Sequence, residues 1–124
     1  MFDNPLLDRL AGDDGPASHQ PIWTNHPKFA GVRMRRLASG AESAGRFTTL
    51  LVSIDPNSRM LAHRHEAEVE QHVVLSGDGR LELDGRRRDY RPGSLAVIPQ
   101  NAEHSVTAGA GGMVILALFS PALP

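Results

Sequence analysis

Cysteine is absent from this chain of 124 residues, tryptophan and tyrosine occur once each, and the longest apolar run, Met113 to Phe119, is seven residues. Without cysteine there are no disulfide frameworks, thiolate zinc sites, iron–sulfur clusters or thiol nucleophiles, so any metal would be held by nitrogen and oxygen. A run of seven falls far short of the roughly 20 residues that span a bilayer as a helix, and it reads as a buried strand. Neither sign of charge prevails: 13 Lys plus Arg stand against 14 Asp plus Glu, a net charge of -1. That balance argues against nucleic acid or an acidic membrane as partner. Met1 to Gly15 carries acidic residues and has no basic segment leading into an apolar stretch, unlike a secretory signal, and the expected location is cytoplasmic. Gly-x-Ser-x-Gly and Gly-rich phosphate loops are missing too, which disfavours a serine hydrolase or a nucleotide-binding protein.

The residues that are present suit one folded domain, with 40% apolar and 22% charged positions. Twelve glycines and nine prolines fall as punctuation between short apolar runs, the pattern of an all-β chain. Residues 1–22 read as an arm, partly flexible or packing against a subunit, with a short helical turn at Pro5 to Leu10; residues 23–124 read as the folded body. Strands are expected at Val32 to Leu37, Arg46 to Asp55, Met60 to His65, Glu70 to Ser76, Gly79 to Leu83 and Arg86 to Tyr90. Leu95 to Ile98, His104 to Ala108 and, after a glycine-rich turn, Met113 to Phe119 complete the set. Asp84-Gly85 is a hairpin signal.

Four of the six histidines lie between residues 63 and 104. His63 and His65 are two apart on an expected strand, so alternation sets both on one face, about 7 Å apart along the backbone. The same period sets Glu70, His72 and Val74 on one face, an interior row that would bury a carboxylate. Such burial costs several kcal/mol unless a charged or hydrogen-bonding group meets it, and a cation held by His63 and His65 would do so.

These residues carry a resemblance. His63-x-His65, four residues, Glu70, six residues and Gly77 follow the first motif of the cupin superfamily from its first histidine onward, with Asn57 where the motif opens on Gly. Gly93, five residues, Pro99, one residue, Asn101, two residues and His104 follow the second motif, with Asn101 in place of Gly and Ala108 in place of a closing Asn. The 15 residues between the motifs, 78–92, match the short spacing of compact single-domain cupins. The resemblance implies a jelly-roll β-barrel of two antiparallel sheets. It also implies a divalent transition metal (Fe, Mn, Ni, Co or Zn) held by His63, His65, Glu70 and His104.

His72 is the extra group on that row, read as a catalytic proton shuttle or substrate contact, a further ligand, or a support behind the ligands. The expected function is that of a metal enzyme acting on a small oxygen-bearing molecule, with dioxygenase-like chemistry favoured over lyase or isomerase chemistry. A non-catalytic ligand-binding or sensory cupin is the alternative, and a metal-free polar barrel the third. A homodimer is expected, with Val32 to Leu37 or Met113 to Phe119 completing a partner's sheet. Arg86, Arg87 and Arg88 read as a solvated edge, Glu68 as a lesser competitor for the carboxylate role, and Trp23, His26 and Phe29 as packing groups. Phe47, Thr49, Met60 and Val74 are the expected inward residues that would set selectivity.

Overall fold

The computed structural model describes residues 5–12 and 23–124, so most of the expected arm, including residues 13–22, lies outside the described residues. One short helix, α1 (Pro5–Ala11), precedes the strands β1 (Thr24–Asn25), β2 (Val32–Ala38), β3 (Thr48–Ile54) and β4 (Arg59–His63). β5 (Val69–Leu83), β6 (Arg86–Tyr90), β7 (Leu95–Ile98) and β8 (His104–Ser120) follow. All pairings are antiparallel, in the order β1-β2-β3-β8-β5-β6, with β4 added to β8 and β7 to β5. This is an all-β jelly-roll barrel. Its two walls are not separate sheets, because β5 and β8 run through both.

That continuity corrects four expected strands to two. Glu70 to Ser76 and Gly79 to Leu83 are halves of β5; His104 to Ala108 and Met113 to Phe119 are halves of β8. The glycines expected as a turn are instead the place where both strands bend round the barrel, with register shifts at Val74/Ser76 and Gly77/Gly79. Gly77 (φ 77°) and Gly112 (φ 74°) sit where the two backbones press together, and a Cβ on Gly77 would collide with the Gly112 carbonyl. Because Met113 to Phe119 is flanked by β3 on one side and β5 on the other, it offers no edge to a partner. At the β6 edge Arg86, Arg87 and Arg88 are all exposed, as a solvated edge should be.

Both faces of β3 are covered, which hides its alternation from sequence reasoning. Thr48, Leu50, Val52 and Ile54 point into the barrel, while Leu51 packs outward against Leu7 of α1 and Val114 of β8. Phe47, expected inside, is 38% exposed, and Thr49 lies on the outward row; Met60 and Val74 are inside as expected. The error is a register slip of one residue, which exchanges the two faces of a strand. Arg35, also outward, is 1% exposed, and its Nη1 donates to the Ala11 carbonyl at the end of α1 (2.7 Å). A cation there complements the negative end of the helix.

Candidate metal centre

Two motif departures turn out to be turn chemistry. Asn57 (φ 59°) and Asn101 (φ 64°) both adopt the left-handed conformation that Gly would supply, and Asn is among the side chains that tolerate it best. The Asn101 turn is tied to the ligand loop, since its N–H donates to the His65 carbonyl at 2.8 Å. Gln100 reinforces that tie by donating to the Glu66 carbonyl (2.8 Å). Thus the loop before His104 and the loop carrying His65 are one unit. Ala108, at the other departure, is buried at 3% in the apolar core.

The imidazoles of His63, His65 and His104 converge, with one ring nitrogen from each lying within 4.8 Å of the others. His63 is the last residue of β4 and pairs across with His104 at the start of β8; His65 lies just beyond the strand and still turns to the same point. Carbonyls set the tautomers of two rings. The Nδ1–H of His63 donates to the Leu61 carbonyl (2.7 Å) and that of His104 to the Ala102 carbonyl (3.0 Å), which leaves each Nε2 with a lone pair.

Glu70 is 4% exposed and reaches the same point from β5. Its Oε1 lies 3.2 Å from His104 Nε2 and 3.5 Å from His65 Nε2. Oε1 and His104 Nε2 are buried, and beyond their close approach to each other and that of Oε1 to His65 neither finds a hydrogen-bond partner among the described residues. Its Oε2 is engaged elsewhere, accepting from the Nε2–H of His72 at 2.7 Å. In the neutral ring the His72 Nδ1 then accepts from the Tyr90 hydroxyl (2.9 Å), completing a buried chain from Glu70 through His72 to Tyr90. His72 is 1% exposed and stands behind Glu70, off the cavity wall, with both ring nitrogens bonded. Glu68 is buried too, at 8%, but the carboxylate contacts of His65 and His104 run to Glu70.

The electrostatics agree with this division. Burial lowers the pKa of His63 to about 4 and also lowers that of His65, so both are neutral and able to bind a cation near neutral pH. Burial works to raise that of Glu70, but contacts from His104 and His72 prevail and hold it below the usual carboxylate range. For His104 burial works downward and the contact with Glu70 prevails, raising it. Burial also raises Tyr90, with Glu70 adding to the effect, so its hydroxyl keeps its proton. An ionised carboxylate beside three imidazoles, with two buried donor atoms facing one point, fits the divalent first-row transition ions.

In front of these residues opens a cavity of about 510 Å³, a size suited to a small organic molecule. His63, His65 and Glu70 form its inner end, and Leu50, Val52, Met60 and Phe119 much of its wall. Two lining groups were not singled out for this role from sequence. His26, read as a packing residue, does stack on Phe29 (ring centroids 4.4 Å apart), which in turn meets His63 (5.3 Å), but His26 also faces the cavity. Arg36 lines it as well, because the alternation Val32, Met34, Arg36 along β2 is the inward row. Trp23 stays with packing, under the Arg33 guanidinium at 5.6 Å.

The family model described as cupin domain matches residues 50–119, and the chain belongs to the cupin family. It is 34% identical over 88 residues to dimethylsulfoniopropionate lyase DddW of Ruegeria pomeroyi, a match covering 70% of this chain and 57% of that one. The chain spans about half the length of the curated relatives it matches. Among solved structures, KdgF from Halomonas sp. superposes with a TM-score of 0.73 at 24% identity, covering 85% of this chain and 90% of that one. The polyketide cyclase RemF from Streptomyces resistomycificus gives 0.67 at 26% identity, covering 79% and 70%.

Proposed function

We propose that the chain is a metal-dependent enzyme in which His63, His65, His104 and Glu70 hold one divalent transition metal, and in which the cavity takes a small oxygen-bearing organic molecule. The observation that carries this reading is the pair of bare, buried donor atoms, Glu70 Oε1 and His104 Nε2, beside two further imidazoles. A bound metal would supply Lewis-acid polarisation of a substrate oxygen. The residues do the rest. The carbonyls of Leu61 and Ala102 hold two rings in the binding tautomer, and His72 fixes the rotation of the Glu70 carboxylate so that Oε1 faces the site. His72 acts through Glu70, relaying or stabilising charge along the chain to Tyr90, in place of touching substrate.

Between reaction types, similarity to a protein named as a lyase favours non-oxidative bond cleavage, with Lewis-acid polarisation in the leading role. Dioxygenase-like chemistry is the second reading, favoured by the donor set of three histidines and a glutamate, which suits iron as well as zinc or manganese. Elemental analysis of protein purified without tag or chelator, beside Glu70→Ala, tests the metal. About one ion per chain, lost in the variant, is expected, and no metal in either protein after reconstitution refutes the proposal. Many turnovers per metal without oxygen uptake would establish the lyase reading, oxygen uptake coupled to turnover the second. Saturable, stoichiometric binding alone would leave a binding protein.

A further inference from the structure

Arginine is an unusual residue for the inward row of a barrel strand. Along β2 the inward positions are Val32, 1% exposed in the core, then Met34, then Arg36 at the open end, and the last two line the cavity. The guanidinium of Arg36 has no ion-pair partner among the described residues. Leu50 is its cross-strand partner and Met34 precedes it on the same row, both apolar, while Thr24, paired with Met34, also lines the cavity. Arg33, on the outward face of the same strand, does have a carboxylate, Asp55 at 3.9 Å. Arg36 is exposed at the cavity mouth, and what sets it apart from the other exposed arginines without an ion pair among the described residues is that it lines this cavity.

Charge balance within the cavity makes this informative. Glu70 is the one acidic side chain lining it, and that carboxylate is already committed to the imidazoles. A divalent ion against Glu70 leaves one positive charge, and Arg36 adds a second. Register locates the two charged ends. Arg36 pairs with Leu50, Leu50 with Ala117 and Ala117 with His72, next but one to Glu70. Three strand spacings put Arg36 and β5 roughly 14 Å apart along the curving wall, and the long arginine side chain spans part of that distance. Met34, Leu50, Val52 and Phe119 lie between.

We propose that Arg36 is the specificity residue of this cavity and binds a carboxylate at the far end of the substrate, whose near end carries the metal-binding oxygen. The substrate class is a short carboxylic acid, polar at both ends and apolar between. The proposal rests on the metal reading of the inner end. A single planar fork in an apolar wall matches a carboxylate, which it grips through two parallel N–H donors, better than a phosphate dianion, which calls for several donors.

Isothermal titration calorimetry of the C3 to C6 straight-chain dicarboxylates (malonate to adipate) against their monoamides, on protein with and without metal, tests it. Metal content is measured separately. In the wild type at least one diacid should bind about tenfold more tightly than its monoamide; Arg36→Gln should erase that preference, and Arg33→Gln should leave it unchanged. Metal present with no diacid preference, or with a preference that survives Arg36→Gln, overturns the assignment and leaves the metal reading standing. An Arg36-dependent preference in a protein that takes no metal supports the arginine site and refutes the metal. No metal and no preference overturns both. Inorganic phosphate displacing the diacid at equal concentration would overturn the carboxylate class.

Discussion

Glu70 and Arg35 are both charged and both almost wholly buried, one inside the barrel and the other on the outer face of the same sheet. Their surroundings differ in kind. Arg35 is enclosed by α1 and the outward residues of β3 and β8, and its guanidinium closes the end of the helix through the Ala11 carbonyl. The neighbours of Glu70 are titratable rings, and one of its oxygens is aimed at a point where three imidazoles also meet. A buried charge placed on a backbone acceptor holds a structure together. A buried charge with a bare atom beside other bare lone pairs is a place for a ligand.

This contrast yields measurable differences between the two faces. The largest concerns the inner charge: Glu70→Ala should reduce bound metal from about one ion per chain to under about a tenth while the far-ultraviolet circular dichroism is retained. Undiminished metal would erase the distinction. On the outer face, Leu7→Ala removes a fully buried side chain from the contact with Leu51 and Val114. Urea unfolding should show a loss of about 2–4 kcal/mol, with metal content unchanged; a loss below about 0.5 kcal/mol would mean that α1 does not seal that face.

Sharper discrimination comes from Tyr90→Phe, which removes only the hydroxyl at the end of the Glu70–His72–Tyr90 chain. Competition with a chelator should give about tenfold weaker metal affinity, and unfolding about 1 kcal/mol less stability. Unchanged affinity would confine the tyrosine to packing. The smallest effect is one of pH in the metal-free protein. His63 titrates at about 4 when folded and at 6.5 when unfolded, so between those values the unfolded chain binds the proton more strongly. Stability therefore falls as pH drops from 6.5 towards 4. The raised pKa of His104 acts oppositely, its contribution being present below 6.5 and lost as pH rises through the folded value. The thermal midpoint should fall between pH 7 and pH 4.5, less in His63→Gln than in the wild type; an identical fall in both would remove His63 as the cause.

Much of the site was legible because its spacings are local. His63, His65 and Glu70 lie within eight residues of one another, and strand alternation is enough to bring Glu70 and His72 to one face. Asn57 and Asn101 could be read as turn residues from their chemistry alone. Less visible were the long bent strands β5 and β8, because glycines that look like a turn in sequence also permit two backbones to press together. The inward set of β3 was hidden for another reason: in Thr48-Thr49-Leu50-Leu51-Val52 both rows are largely apolar, and only a helix lying over the sheet shows why. His26 and Arg36 gave no local sign of facing a cavity at all.

The sequence alone determined the all-β architecture, the turns at Asn57, Asp84-Gly85 and Asn101 and the cluster of nitrogen and oxygen donors, since each depends on residue types at short separations along the chain. Tertiary structure decided which oxygen of Glu70 stays bare, that His72 stands behind it and not in the cavity, and that Arg36 lines the same cavity as Glu70. Those features depend on the register of β2, β3, β8 and β5 and on the closing of the barrel, which bring distant residues together in ways that no local spacing encodes.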